Sequence, residues 1–367
     1  MSVSLRDKFI GCIAGCHIGS AMGAVTESMD WQFIEEAYGF IEKPLPYERP
    51  PLGMKKRAAL LRPNRPVWKC EAGMTEDGVE RQRLMILAIR DKGGRVTADD
   101  VKKSWAKYMN PASFGTLSME FERVLWELAK ADIPGADIGK YCDYAGLNSF
   151  ARACHAIALI NAGNIETVKD DIFEVGQLYQ TAKSRGLKWA CVTGVAIAAA
   201  TLPDATVESV LQAIYDNCDP MVVDKIRKHV EGSAYCKDIR ELREYFDGVF
   251  SIKGIDFSMA YASEVVTKGV CIFAMVKGNT KEAMIAGTNM GRDTGCVTAV
   301  AAGISGALTG YQSIPQEWFD MTDYATRCNP YTCSYHTVVE FADMIYNAYQ
   351  KRLADEKAYV STMQALL

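Results

Sequence analysis

Apolar positions recur along this chain at helical spacing and almost nowhere alternate in the way a half-buried strand requires. Leu5, Phe9, Ile10 and Ile13 form one stripe. Val79, Leu84, Ile86, Leu87 and Ile89 form another, which ends near Gly93-Gly94. Comparable patterns predict helices over 98–108, 117–130, 150–161, 167–185, 189–202, 206–216, 222–250, 258–277, 280–289, 294–308 and 337–353. The expected class is all-α, with a dozen or more helices. No linker stands out, and no strict repeat or low-complexity tract is present over 1–367. The segment 43–66 (KPLPYERPPLGMKKRAALLRPNRP) reads as a long surface loop between two helices, a kind of loop that is often functional.

Two helical patterns carry a further message. Gly11, Gly15, Gly19 and Gly23 recur every four residues and lie along one face of the first helix. Glycine weakens a helix, so close approach of a second backbone is the natural compensation. The next step of the same spacing is Glu27, which a bare helix face would allow to reach a central site. The stretch from Thr294 to Gln316 has no charged residue and is long enough to cross a bilayer. Its Gly, Ala, Ser and Thr content instead fits a helix buried inside a soluble protein.

Composition narrows the function classes. Apolar residues make up 49% of the chain, enough for a large core, and the net charge is −4 with a pI near 5.7. That balance argues against a nucleic-acid surface. The 12 cysteines show no C-x-x-C spacing, and four histidines form no zinc pattern. They read as reduced, core-filling thiols of a cytoplasmic protein. The start MSVSLRDKFIGC has no basic segment leading into an apolar signal core.

Two acidic helix starts hold the candidate chemistry: Gly73-Met74-Thr75-Glu76-Asp77-Gly78, and Asn289-Met290-Gly291-Arg292-Asp293-Thr294-Gly295-Cys296. Each has a purely structural reading. Thr75 or Asp77 can cap the helix that follows, with Asp77 and Glu80 in capping-box spacing, and Asp293 can cap its own helix. Acidic residues in a first turn also suit the helix dipole. Together, however, the two starts offer hard oxygen ligands for a cation such as Mg²⁺. A cysteine nucleophile is a third reading, since Cys16 neighbours His17 and Cys296 opens a helix. No Cys/His/acid signature accompanies either.

Three blocks, in order along the chain, resemble the ADP-ribosylglycohydrolase family, which includes the dinitrogenase-reductase-activating glycohydrolases. FIGCIAGCHIGSAMGAVTES is similar to the family's G-x-x-x-G-D-x-x-G-x-x-x-E opening. GMTEDGVERQRLM is similar to its T-D-D-T block, and NMGRDTGCVTAVAAGISGALTGY to its N-x-G-G-D-T-D-T block. GLNSFARACHAIALINAG resembles, more weakly, the S-N-G-x-x-M-R segment.

The resemblance implies a single all-α domain around a central metal cleft. It implies one or two Mg²⁺ or Mn²⁺ ions and a substrate carrying an ADP-ribosyl or related ribosyl group. Carried over by position, Thr75, Glu76, Asp77 and Asp293 correspond to metal ligands. Glu27 corresponds to the mobile acidic residue that serves as acid, base or orienting group. Asn148 and Arg152 correspond to the segment that contacts the ribosyl or phosphate part, and Arg292 beside Asp293 is a further candidate for a polar or anionic part. Glu27, Asp77 and Asp293 are the expected catalytic acids.

The departures from the pattern carry equal weight. Ser20 stands for the usual Asp, Gly78 for Thr, Arg292 for Gly, Gly295 for the aspartate expected to contact both metals, and Cys296 for Thr or Ser. Glycine offers no side-chain oxygen and cysteine is a soft ligand, so a second metal site is doubtful. The expected function is metal-assisted hydrolysis of a ribosyl C1–N or C1–O bond. The alternative is a metal-impaired homologue that binds a ribosyl or nucleotide ligand without turnover. Neither nucleic acid nor membrane is expected as a partner.

Overall fold

A computed structural model describes residues 3–49, 68–109, 120–142, 145–250, 259–329 and 332–367. Among them are 17 α-helices and one two-stranded sheet. The helices run Leu5–Gly23, Trp31–Tyr38, Asp77–Lys92, Ala98–Tyr108, Glu120–Lys130, Gly135–Ile138, His155–Ile160, Ile165–Gly176 and Arg185–Ala200. They continue with Val207–Asn217, Pro220–Gly232, Ile239–Phe250, Ala262–Met275, Thr280–Thr288, Thr294–Thr309, Gln316–Cys328 and Val338–Gln364. No described helix is long and apolar enough to cross a membrane. All 12 cysteines are free thiols, most of them buried.

Two helices form the axis of the core. Leu5–Gly23 opens on a capping box between Ser4 and Asp7 and is buried from Lys8 to its end. Thr294–Thr309 is buried along nearly its whole length. A helix buried all round needs no polar face, which explains the charge-free run in the sequence. The two lie backbone against backbone. A Cβ on Gly15 would meet the Ala302 carbonyl oxygen at 2.1 Å, one on Gly23 the Thr294 oxygen at 2.4 Å, and one on Gly306 the Gly11 oxygen at 2.0 Å. The four-residue glycine spacing is thus the footprint of this contact. Helix Val338–Gln364, capped by Thr337 and Glu340, covers the first helix from outside. There Phe9 meets the rings of Tyr346 and Tyr349 edge-on.

Several elements differ from the sequence-based expectation. The pattern over 222–250 is two helices, not one. The break follows Gly232, and Asp238 starts the second helix by accepting from the amides of Arg240 and Glu241. Within 150–161 only His155–Ile160 is α-helical, and the residues before it form turns. Helices Trp31–Tyr38 and Gln316–Cys328 were not foreseen; Asp30 caps the first through Phe33 N–H, and Gly39 closes it at φ 69°. The segment expected to be a surface loop contributes Tyr47–Arg49, which pairs antiparallel with Trp68–Cys70 and buries Tyr47. Its remainder from residue 50, and the 117–119 end of another predicted helix, lie outside the described residues.

Candidate active site

The first helix ends at Gly23, and the chain turns through Glu27 to a short bridge. Arg292 N–H donates to the Met29 carbonyl (2.6 Å) and Ser28 N–H donates to the Arg292 carbonyl (2.8 Å). Ser28 and Arg292 both hold positive φ, 68° and 70°, as does Gly291 at 84°. Left-handed backbone at two non-glycine residues is strained. Here the strain ties the Glu27 turn to the residue preceding Asp293.

Asp293 has two tasks. It caps helix Thr294–Thr309 by accepting from Cys296 N–H (3.3 Å), and its other oxygen accepts from the Asn148 amide (2.8 Å). The second acidic start behaves differently from expectation. Glu76, not Thr75 or Asp77, is the cap of helix Asp77–Lys92, accepting from Gly78 N–H at 3.1 Å. Glu76 also accepts from Ser20 Oγ (2.7 Å) and, through both oxygens, from Arg152 Nη1 (2.6 and 2.7 Å). Asp77 accepts from Arg152 Nη2 (3.1 Å) and Arg81 Nη2 (2.9 Å). Arg49, from the first strand, lies 3.4 Å from Glu27. Thr75 Oγ1 is buried without a hydrogen-bond partner.

These contacts and the charges acting between them gather six of the eight predicted residues into one cluster, and Thr75 adjoins it as the neighbour of Glu76. The eighth, Arg292, directs its guanidinium at the buried Glu264 (2.7 and 3.0 Å) and contributes to the cluster through its backbone. Ser20, Arg49 and Arg81 belong to the site without having been singled out as members. Arg81 was legible as a helical i,i+4 partner of Asp77. Arg49 and Glu264 had no local signal. Solvent reaches the cluster at Glu27, Asp77 and Arg49, whose side chains are 28%, 20% and 18% exposed, while Glu76, Arg152, Asn148 and Asp293 are buried.

The electrostatics separate the carboxyls. Burial pushes Glu27 above the usual carboxylate range; Arg49 opposes this, and the charges of Asp293 and Asp77 add to it. Burial also raises Asp293, against hydrogen bonds from Cys296 and Asn148 and the charge of Arg152. Glu76 is pushed up to about 7 by burial, which Arg152 only partly offsets. Asp77 goes the other way. Burial would raise it, but Arg152, the hydrogen bond with Glu76, Arg81 and Arg49 together hold it well below its ordinary value. The cysteine reading finds no support. Burial pushes Cys16 up to about 12 and Cys296 well above the ordinary thiol, and His17 faces Gln82 at 2.8 Å.

The donor set as arranged does not fit a two-metal centre. Among the described residues no three His, Cys, Asp or Glu side chains converge to hold a metal ion. Gly295 contributes no ligand, although a Cβ there would find its nearest neighbours at 3.7 Å and Glu27 Oε2 at 3.8 Å, so a methyl group would fit. The space between Glu76 and Asp77 is taken by the Arg152 guanidinium.

A family profile described as ADP-ribosylglycohydrolase matches residues 1–354. The chain belongs to the ADP-ribosylglycohydrolase family. That membership supports a glycohydrolase function in general terms and ribosylated compounds as the class of substrate; the family generally uses divalent metal ions. A solved structure titled "ADP-ribosylglycohydrolase-related protein complex" is similar in fold, with 17% identity, a TM-score of 0.60, and coverage of 95% of this chain and 98% of that one. No curated protein matches the chain.

Proposed function

We propose that this chain hydrolyses the C1–N or C1–O bond of an ADP-ribosylated or related ribosyl substrate, with Glu27 as the proton-handling group. One arrangement supports the reading: two partly exposed carboxyls of one cluster have opposite settings, Glu27 facing only Arg49 at 3.4 Å and raised by burial, Asp77 bonded by both Arg81 and Arg152 and held low. Glycosidic cleavage needs that division between an acid that protonates the leaving group and a carboxylate that faces the developing oxocarbenium ion. Glu27 retains its proton to a higher pH and is open to a ligand. Asp77 stays ionised and is fixed by two arginines. Asn148 fixes Asp293 and supplies an amide beside it for ribose hydroxyls.

The metal-assisted form of this reaction, with Mg²⁺ or Mn²⁺ on Thr75, Glu76, Asp77 and Asp293, is not the one these contacts favour. Thr75 Oγ1 alone among those donors has no partner already. The second reading, a ribosyl or nucleotide binder without turnover, draws on the missing oxygen at Gly295. A panel of ADP-ribosyl and nucleoside donors, assayed with and without Mn²⁺, separates the two. Release of ribose or ADP-ribose that disappears in Glu27→Gln supports the hydrolase. Saturable nucleotide binding with no product at any pH supports the binder.

A further inference from the structure

We infer that the Arg152 guanidinium is the resident cation of this acidic cluster, bridging Glu76 and Asp77, two of the carboxylates that the family resemblance assigns to a metal, and that Gly78 is the residue that seats it. The inference deepens the reading of the same site by fixing its metal requirement: ligand binding here needs none.

Three observations converge. First, Arg152 makes three charge-assisted contacts, two short ones to Glu76 and one of 3.1 Å to Asp77. A planar fork is suited to such bridging. Second, the guanidinium lies in space that almost any side chain at position 78 would fill. A Cβ on Gly78 would meet Arg152 Nη1 at 1.6 Å, Cζ at 2.1 Å and Nε at 2.7 Å. The glycine that departs from the family-like T-D-D-T block is therefore coupled to the arginine 74 positions later. Third, the charges come within one of balance. Glu27, Glu76, Asp77 and Asp293 are met by Arg49, Arg81 and Arg152, leaving one negative charge before any proton binds. Two further positive charges from one metal ion would bring the cluster no closer to neutrality. Ser20, which donates to Glu76, and Gly295, which donates nothing, fit a centre that no longer needs metal ligands.

The test is metal binding by the purified full chain, with no ribosyl compound present. Mn²⁺ is titrated against the wild type, Arg152→Ala, and Gly78→Ala, and free Mn²⁺ is read by electron paramagnetic resonance. Thermal unfolding is followed in parallel. The wild type is expected to bind Mn²⁺ no tighter than about millimolar, with an unchanged melting temperature. Arg152→Ala exposes the carboxylate oxygens and is expected to bind at least about 10-fold more tightly, a gain of ~1.4 kcal/mol, with Mn²⁺ raising its melting temperature. Gly78→Ala keeps the arginine but expels it from its seat, and is expected to gain affinity in the same direction; it serves if Arg152→Ala does not fold. Micromolar Mn²⁺ binding by the wild type overturns the inference whatever the variants do. So does a folded variant with no gain. Because no substrate is present, failure to find turnover would leave the inference standing, and failure of the inference would leave the glycosidase reading to be judged on Glu27.

Discussion

Gly15 and Ala302 touch through their backbones: a single added carbon on Gly15 would lie 2.1 Å from the Ala302 carbonyl. No rotamer can relieve a clash with main chain. Gly15→Ala is therefore expected to cost about 1–3 kcal/mol or more, as overpacking does, read from the urea midpoint. Gly94→Ala is the control. Nothing lies within 4 Å of its added carbon, so it should be neutral or stabilise by up to ~1 kcal/mol through the unfolded chain. Equal stability of Gly15→Ala and wild type would contradict the helix contact.

A second expectation concerns proton linkage in the core. His155 is buried, with Nε2 at 3.0 Å from the Ala299 carbonyl and Nδ1 unpartnered. Burial depresses it from 6.5 to about 4. The unfolded chain therefore takes a proton first as pH falls. Stability should decline from pH 6.5 towards pH 4, by about 3 kcal/mol from this group at the lower end. His155→Asn should flatten the decline in denaturant titrations across that window. Some slope should remain, because burial lowers His17 in the same direction.

The buried pair of Glu80 and Arg83 is the third test. Arg83 Nη1 donates to Glu80 at 2.5 Å and to Thr332, while Nη2 donates to Thr326. Glu80 in turn accepts from Cys333 N–H. Both side chains are 1% exposed. Glu80→Ala would strand a buried guanidinium and should cost about 3–5 kcal/mol. Breaking the exposed Lys351–Asp355 pair should change stability by less than ~1 kcal/mol. Chemical denaturation of both variants gives the comparison; similar losses would sink it.

For the proposed hydrolysis, Glu27→Gln should lower kcat by about 10²–10⁴-fold with a smaller change in KM. The protonated form is the active one in this assignment. Wild-type activity should thus fall as pH rises through Glu27's elevated pKa, and Gln should remove that limb from what activity remains. An unchanged alkaline limb in the variant would assign it to another group.

Much of the site could be read from the chain because its signals are local. The glycine spacing announced a backbone contact, and the oxygen-rich helix starts at Thr75–Asp77 and Asp293 announced the cluster. Arg152 was visible only through a weak motif, and its destination was not. A contact spanning 74 positions to Gly78 leaves no periodic trace. Glu76 displaced Thr75 as the cap because its longer side chain can both reach Gly78 N–H and accept from Ser20 and Arg152. Arg49 was hidden inside a segment whose Pro and Lys content suggested only an exposed loop, yet a three-residue strand turns it inward. The break after Gly232 is written in the phase of the pattern: on one continuous helix Ile239, Leu242 and Phe246 would face the side opposite Val222, Ile226 and Val230, so each stripe needs its own helix.

The interlocked glycines also determine how this cleft can adapt. Glu27 lies just past the end of one of two rods and Asp293 caps the other; their main chains touch at Gly11, Gly15 and Gly23, with small side chains such as Thr298 and Ala302 between them, so that wall acts as an anvil. Asn148 and Arg152 come instead from a run of turns before His155. Accommodation of ligands of different girth therefore falls to those turns and to the strand that carries Arg49, and sequence changes that tune selectivity should accumulate there while the anvil stays the same.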